Sequence, residues 1–266
     1  VGAISCMSLY FFSLDTVVLS LVSYLLALIG FWGSLVFYNS YLPDIAHKEQ
    51  QDRISAKGFS LGYVGSVILL LICLAMVMSV EDSQKLQMMK YSFLLVGIWW
   101  IGFSQYTYYY LPDNKNSNKM HKNVIFNGFR ELLKVWHQIK NILPLKRYLA
   151  AFFVYSMAVQ TIMIIAAYFG EKEVQWGSDS KRTTGLIISI LVIQLVAVFG
   201  AWITSKLVEK FGNIKVLMLL NFLWILICTY AYFVITPIDF YIAAFFVGLV
   251  MGGIQSLSRS TYSKFI

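Results

Sequence analysis

The sequence contains eight apolar stretches without a single Asp, Glu, Lys or Arg, and every charged residue lies between these stretches or at their edges. A charged side chain at the centre of a bilayer costs about 2.5 kcal/mol or more, so membrane-spanning helices require uncharged stretches of this kind. About 20 helical residues cross the roughly 30 Å of hydrocarbon, and most of the stretches approach that length. We therefore predict an all-α membrane protein. The predicted spans are Val1–Leu14, Val17–Tyr38, Gly58–Ser79, Tyr91–Tyr110, Tyr148–Phe169, Thr183–Ser205, Val216–Ile235 and Phe240–Leu257.

The first apolar stretch is shorter than the others, and the chain opens on Val1 without a methionine. We expect this stretch to be a helix cut by the chain boundary. The sequence is accordingly expected to be part of a longer protein.

The composition and the placement of charge both favour a membrane protein. Hydrophobic residues make up 59% of the chain and charged residues 13%, against about 25% charged residues in soluble domains, which excludes a soluble enzyme built around one core. Alternate loops carry 16 Lys/Arg with 6 Asp/Glu on one side and 5 with 7 on the other. The positive-inside rule predicts that the basic loops, 38–57, 111–147, 206–215 and the tail from Ser258, are cytoplasmic.

The longest polar segment, 111–147, separates four spans in residues 1–110 from four in residues 148–266. Its first part is rich in Asn and Lys and is typical of a flexible linker. Its second part predicts a basic amphipathic helix, lying on the cytoplasmic membrane surface or against the cytoplasmic ends of the bundle. A simple tether between two halves and a regulatory or lipid-sensing role both remain open. The apolar face comprises Ile125, Phe129, Leu132, Leu133, Trp136 and Ile139.

Small residues recur at four-residue spacing in several spans, as in Gly58-xxx-Gly62 of the third and Gly248-xxx-Gly252 of the eighth. Such residues let two helices approach closely. The spacing predicts either tight static packing or an interface at which helices slide.

Uncharged polar side chains within the spans are the candidates for function. Tyr155, Ser156 and Gln160 lie on the fifth span, Gln194 lies on the sixth, and Gln255 lies near the cytoplasmic end of the eighth. An amide in lipid needs partners, so these side chains should point into the bundle. They either hydrogen-bond between helices or line a path for a solute that needs no full counter-charge.

Catalytic and metal-binding patterns are absent from the sequence. It contains no GxSxG, HExxH or phosphate-binding GxxxxGK[ST] motif, and the cysteines show no metal-ligand spacing. His47, His121 and His137 are isolated from one another in polar loops. The tyrosines at 106–110 lack the interleaved basic residues of a nucleic-acid platform. We predict no enzyme activity, no cofactor, no metal site and no nucleic-acid partner.

The polar segment after the sixth span resembles a conserved loop of the major facilitator superfamily, written G-x-x-x-D-R-x-G-R-R. Within residues 200–215, Glu209, Lys210, Gly212 and Lys215 keep the acid–base–glycine–base order, although the acid is substituted. The order of five further segments is more specific. They are GFWGSLVFYNSYLPDIA (30–46), DRISAKGFSLGYVGS (52–66), VQTI (159–162), IQLVAVFGA (193–201) and GGIQSLSRSTYSKFI (252–266).

Together these segments resemble the vacuole-effluxer-like branch of that superfamily, which includes the autophagy-related vacuolar amino-acid effluxer of fungi. The resemblance covers nearly the whole chain. It implies a transporter of twelve helices in two halves, of which this chain holds helices three (in part) to ten, and it implies rocking of the halves around a midplane site. Where the family often has Asn-Asp-Gly before VQTI, this chain has Ser156-Met157-Ala158. If that acid couples transport to protons, the coupling or the solute differs here.

We therefore predict a secondary transporter of the major facilitator type in a bacterial plasma membrane, moving a small polar solute, with amino acids favoured by the resemblance. A proton is one candidate coupling ion, and the sequence leaves the oligomeric state open, with a monomer favoured. The alternatives are a receptor or scaffold acting through the linker helix and a lipid translocase. The predicted lining residues are Tyr155, Ser156, Gln160, Gln194 and Gln255, with Asn39 and Tyr63 near the cytoplasmic mouth. The predicted gate or latch residues are Asp52, Arg53, Glu209, Lys210 and Arg259.

Overall fold

A computed structural model describes residues 1–111 and 124–265 and contains ten α-helices in those ranges. Two short 3-10 turns, Leu9–Phe11 and Leu14–Thr16, lie between the first two helices. The helices are α1 (Gly2–Ser8), α2 (Val17–Ser40), α3 (Leu42–Ile45), α4 (Gln51–Met78), α5 (Asp82–Tyr110), α6 (Val124–Asn141), α7 (Leu143–Lys172), α8 (Asp179–Phe211), α9 (Asn213–Ala231) and α10 (Pro237–Phe265).

Seven helices in the described ranges are long and apolar enough to cross a membrane, namely α2, α4, α5 and α7 to α10. Each coincides with a predicted span. The first predicted stretch corresponds to a shorter apolar helical segment, Gly2–Phe11. The all-α membrane fold predicted from the sequence is therefore confirmed.

Most of these helices are longer than the apolar stretches because they continue into polar residues, whereas α9 ends at Ala231, four residues before the end of its predicted span. The sixth predicted span, Thr183–Ser205, lies within the 33-residue helix α8. At its start the Ser178 hydroxyl accepts a hydrogen bond from the Lys181 backbone N–H at 3.4 Å. At its end Gly212 has a φ of +82°, a conformation that glycine adopts without strain and that stops the helix.

The chain divides into two compact units, residues 1–39 with 68–133 and residues 40–67 with 134–266. The boundaries therefore fall before Ser40, the last residue of α2, within α4 and within α6. The predicted division into 1–110 and 148–266 remains a prediction. The predicted amphipathic helix corresponds to α6, whereas the Asn- and Lys-rich part of the linker, at 112–123, lies outside the described residues.

In the first unit, α1 packs against α2 and α5 through glycines. A Cβ built at Gly30 would come within 2.7 Å of the Gly2 backbone nitrogen, and one built at Gly97 would collide with Met7. The Cys6 thiol approaches the Phe93 carbonyl oxygen at 3.8 Å. The short first helix is thus seated closely against its neighbours.

In the second unit, α8 and α10 are in backbone contact. A Cβ on Gly252 would collide with the carbonyl oxygen of Ala197, and one on Gly248 would lie 2.5 Å from that of Ile193. Gly200 of α8 meets Leu249 of α10 in the same way. The Gly248-xxx-Gly252 spacing therefore produces tight helix packing. Nothing lies within 4 Å of a Cβ built at Gly62 in the third span.

Candidate functional site

A polar cluster ties three helices together at one end of the second unit, where α8 and α10 end and α4 and α9 begin. We call this end the basic end. The Asp52 carboxylate on the first turn of α4 accepts a 2.6 Å hydrogen bond from the Asn213 amide and forms an ion pair with Lys264 near the end of α10. The Lys264 ammonium also donates to the Asn213 side-chain oxygen at 3.0 Å. The Asp52 side chain is only 11% exposed, so the pair is substantially shielded from water.

Further hydrogen bonds continue from this cluster along α4 and give a seam between α4 and α10. The Ser55 hydroxyl donates to the Ser256 carbonyl oxygen, and the buried Tyr63 hydroxyl donates to the side-chain oxygen of Gln255, both at 2.7 Å. The Ser60 hydroxyl donates to the Val198 carbonyl oxygen of α8 at 3.2 Å. We call Asp52, Ser55 and Tyr63, with their partners on α10, the α4–α10 seam.

Tyr155, another predicted lining residue, is held against α10. Its hydroxyl shares a 2.7 Å hydrogen bond with the Ser258 hydroxyl, and the Tyr148 hydroxyl donates to the Ser258 carbonyl oxygen, also at 2.7 Å. Ser258 thus anchors two tyrosines of α7. These bonds place the polar edge of Tyr155 at a helix contact.

The two mid-span amides are arranged differently from Tyr63 and Gln255. Gln160 is exposed on α7, and Gln194 is half-buried on α8 with its side-chain oxygen lacking a hydrogen-bond partner among the described residues. Ser156 is half-buried and donates to the Phe153 carbonyl oxygen of its own helix at 3.3 Å. Asn39 is exposed and belongs to the first unit.

The other predicted latch residues do not join the Asp52 cluster. Glu209 pairs with Lys206 one turn earlier on α8, at 3.4 Å, and both side chains are more than half exposed. The Lys210 ammonium lies 5.3 Å from the ring centre of Phe211. Arg53 is exposed, whereas Arg259 is buried with its guanidinium 6.0 Å from the ring centre of Phe59 on α4. Their gate roles remain predictions.

A cleft of about 290 Å³ opens in the second unit at the end opposite the basic end. Its walls combine aromatic rings, including Trp176 and Tyr241, with polar residues such as Lys181 and Thr184. Trp176 is fixed there by a 2.7 Å hydrogen bond to the Gly170 carbonyl oxygen. The cleft contains none of the predicted lining residues.

Sequence reasoning missed Asn213, Lys264 and Ser258, which hold the predicted residues in place. All three lie in the segments that carry the family resemblance, so the sequence indicated the segments that contain them but not the individual residues. Lys264 lies 212 residues from Asp52, and Asn213 lies 161 residues from it. Only the packing of α4, α9 and α10 reveals the pairing.

Comparison with curated proteins identifies similar membrane proteins. The uncharacterised MFS-type transporter YxiO of Bacillus subtilis (strain 168) is 31% identical over 279 residues, which cover 100% of this chain and 61% of that protein. Autophagy-related protein 22 of Vanderwaltozyma polyspora is 22% identical over 80% of this chain and 45% of its own length. Autophagy-related protein 22-1 of Aspergillus niger is 24% identical over 80% of this chain and 37% of its length.

This chain therefore spans about three fifths or less of the length of these relatives. No solved structure matches it. The family described as "Vacuole effluxer Atg22 like" matches residues 1–266, the whole of the chain. With seven membrane-capable helices in residues 1–111 and 124–265 and a similar MFS-type protein, the fold is a helical bundle of the major facilitator type. The chain belongs to the vacuole effluxer Atg22-like family.

Proposed function

We propose that this protein is a secondary transporter that moves a small polar solute by alternating access, with amino acids as the first candidates. The family description and the printed name of the bacterial relative support transport. A bacterial plasma membrane is the proposed location, with the basic loops on the cytoplasmic side. The solute and any coupling proton are part of the proposal.

The main support for the proposal is a difference in hydrogen bonding. The polar residues of the α4–α10 seam are paired between helices, whereas the mid-span amides of Gln160 and Gln194 are not paired with each other. A scaffold gains from burying Gln160 and Gln194 in closed pairs, because an amide without a partner in a low-dielectric interior costs free energy. Gln160 is exposed instead, and the Gln194 oxygen, although buried, lacks a partner among the described residues. The absence of closed amide pairs favours a transporter over a scaffold, with the exposed Gln160 amide as the group available to a solute.

The α4–α10 seam also fits alternating access. In the predicted topology α4 belongs to the first half and α10 to the second, so a seam between them closes the basic end. Rocking of the halves would have to break the Asp52–Lys264 pair and the Tyr63–Gln255 hydrogen bond. The α4–α10 seam consists of a few separate polar contacts. The free energy needed to open it is therefore small enough for solute binding to offset.

Gln160 provides the direct mutational test. Replacing it with alanine should lower uptake at subsaturating solute by about 2- to 10-fold, because a neutral hydrogen bond contributes about 0.5–1.5 kcal/mol. Uptake is measured in proteoliposomes and normalised to the amount of folded protein. The folded yield should stay unchanged, because the Gln160 side chain is exposed.

Gln84→Ala is the matched control, since Gln84 is an exposed amide near the start of α5 and outside the predicted lining. It should transport like the parent protein. Equal uptake by the Gln160 and Gln84 variants would show that Gln160 does not line the solute path, and it would favour the scaffold alternative.

A further inference from the structure

Helix α6 carries an apolar stripe that nothing in the described structure covers. Phe129, Leu132 and Trp136 are spaced at i, i+3 and i+7, and they are 64%, 68% and 60% exposed. The apolar side chains Met218 and Ile225 of α9, a helix long and apolar enough to cross a membrane, are 60% and 63% exposed. The stripe is therefore as open as a surface that normally contacts lipid.

The opposite face of α6 is polar and basic. At 100° per residue, Arg130 and Lys134 lie on the side away from the apolar stripe. Helix α6 contains three basic residues and one acidic residue, and the whole segment 111–147 contains eight and two. Phospholipid headgroups of the cytoplasmic leaflet are anionic, so the charge of this helix complements a membrane surface.

The connection to α7 holds α6 at the level of that surface. Helix α6 ends at Asn141 and α7 begins at Leu143, so a single residue, Ile142, separates the two. One residue spans less than 4 Å. Helix α7 is a membrane span, and Lys146 and Arg147 lie in its first turns. The end of α6 therefore cannot lie far from the headgroup layer.

We propose that α6 is an interfacial helix bound to the cytoplasmic leaflet of the membrane that the protein spans. Phe129, Leu132 and Trp136 enter the boundary between headgroups and acyl chains, at a depth of about 5–10 Å typical of such helices. Arg130 and Lys134 lie on the water side of the helix, within the roughly 8 Å over which the anionic headgroups still attract them. Binding couples the chain between the predicted halves to lipid composition, independently of whether the protein transports a solute.

Lipid-attached quenchers test this placement in the complete protein. All cysteines of the complete protein, including Cys6, Cys73 and Cys228, are replaced by serine. An environment-sensitive fluorophore is then attached at Leu132→Cys or, as the polar-face control, at Arg130→Cys. Each protein is placed in nanodiscs containing spin-labelled lipid. Because opposite faces of a helix are about 10 Å apart, quenching at residue 132 should exceed that at residue 130 by roughly threefold or more.

The charge dependence is tested in the same Leu132-labelled protein. Exchanging zwitterionic lipid for a mixture with phosphatidylglycerol should increase quenching. The double variant Arg130→Gln/Lys134→Gln should lose most of that increase, because each charge near an anionic surface changes binding by about fivefold. High salt should have the same effect as the double variant.

Three results would overturn the proposal. Equal lipid quenching at residues 132 and 130 would show no oriented contact with the membrane. A Leu132 label protected from both lipid quencher and aqueous iodide would show that α6 packs on protein. A response to phosphatidylglycerol that survives the double variant would remove Arg130 and Lys134 from headgroup binding.

Discussion

Replacing Gly252 with alanine should destabilise the second unit, because the added methyl group would collide with the Ala197 carbonyl oxygen of α8. The obstacle is backbone, so the collision is relieved only if α8 and α10 move apart. Separation would also loosen the contacts at Gly248 and Gly200, which depend on the same close approach. Overpacking of this kind costs about 1–3 kcal/mol, and valine should cost more than alanine.

The measurement is the fraction of protein that remains monodisperse in detergent after heating. We expect the apparent melting temperature of Gly252→Ala to fall by roughly 2–4 °C for each kcal/mol lost. Gly62→Ala is the matched control, because Gly62 lies within α4 and a Cβ there meets nothing within 4 Å. Alanine at that position should be neutral or slightly stabilising, since it favours helix more than glycine does. Equal stability of the two variants would contradict the backbone contact between α8 and α10.

Removing the charge of Asp52 should open the basic end of the second unit. Asp52→Asn leaves the Lys264 ammonium without its carboxylate and removes the charged acceptor from Asn213. Exposed ion pairs contribute about 0–1 kcal/mol and buried pairs cost about 3–5 kcal/mol to break. The pair is 11% and 28% exposed, which places it between these cases. We expect the free energy needed to open the basic end to fall by about 1–3 kcal/mol, which increases the open population by about 5- to 150-fold.

Opening is measured as the rate at which a membrane-impermeant maleimide labels Ala56→Cys in a background without other cysteines. Ala56 is 4% exposed and lies on α4 one turn after Asp52, so labelling requires the seam to part. The matched control, Lys57→Gln, removes a nearby exposed charge and should leave the rate unchanged.

The double variant Asp52→Lys/Lys264→Asp should be labelled at Ala56→Cys more slowly than either single variant, Asp52→Lys or Lys264→Asp. It re-forms the ion pair, and the Asn213 amide can turn to keep one hydrogen bond to each partner. If the double variant labels as fast as the single reversals, or if Asp52→Asn labels like the parent, the polar cluster does not hold the seam closed.

The membrane spans could be predicted from the sequence because desolvation of charge acts locally. Whether a stretch of about 20 residues lacks ionised groups depends on that stretch alone, and seven such stretches in the described part of the chain lie in helices long enough to cross a membrane. The helix ends were less predictable. Asp179 at the start of α8 and Phe211 at its end lie beyond the apolar stretch, and they remain helical because capping at Ser178 and Gly212 sets the limits.

The partners in the candidate site could not be predicted, because they depend on how distant helices pack. The sequence marked Asp52 as a latch residue, but its partner Lys264 follows it by 212 residues. Glu209 was marked by its motif, yet a lysine one turn away on the same helix forms its ion pair. Gly252 was recognisable as a packing residue, although only the structure shows that α8 is the helix it contacts.

The most direct test of the proposed function is solute uptake by the purified, complete protein in proteoliposomes, screened over amino acids with and without an imposed proton gradient. We predict accumulation of at least one small polar solute above protein-free liposomes, and uptake about 2- to 10-fold lower in Gln160→Ala at subsaturating solute. Faster uptake in the presence of the gradient would indicate proton coupling. Uptake that does not depend on the gradient would favour facilitated diffusion or coupling to another ion. Folded protein that moves none of the amino acids, nor other small polar solutes, would contradict the assignment as a transporter.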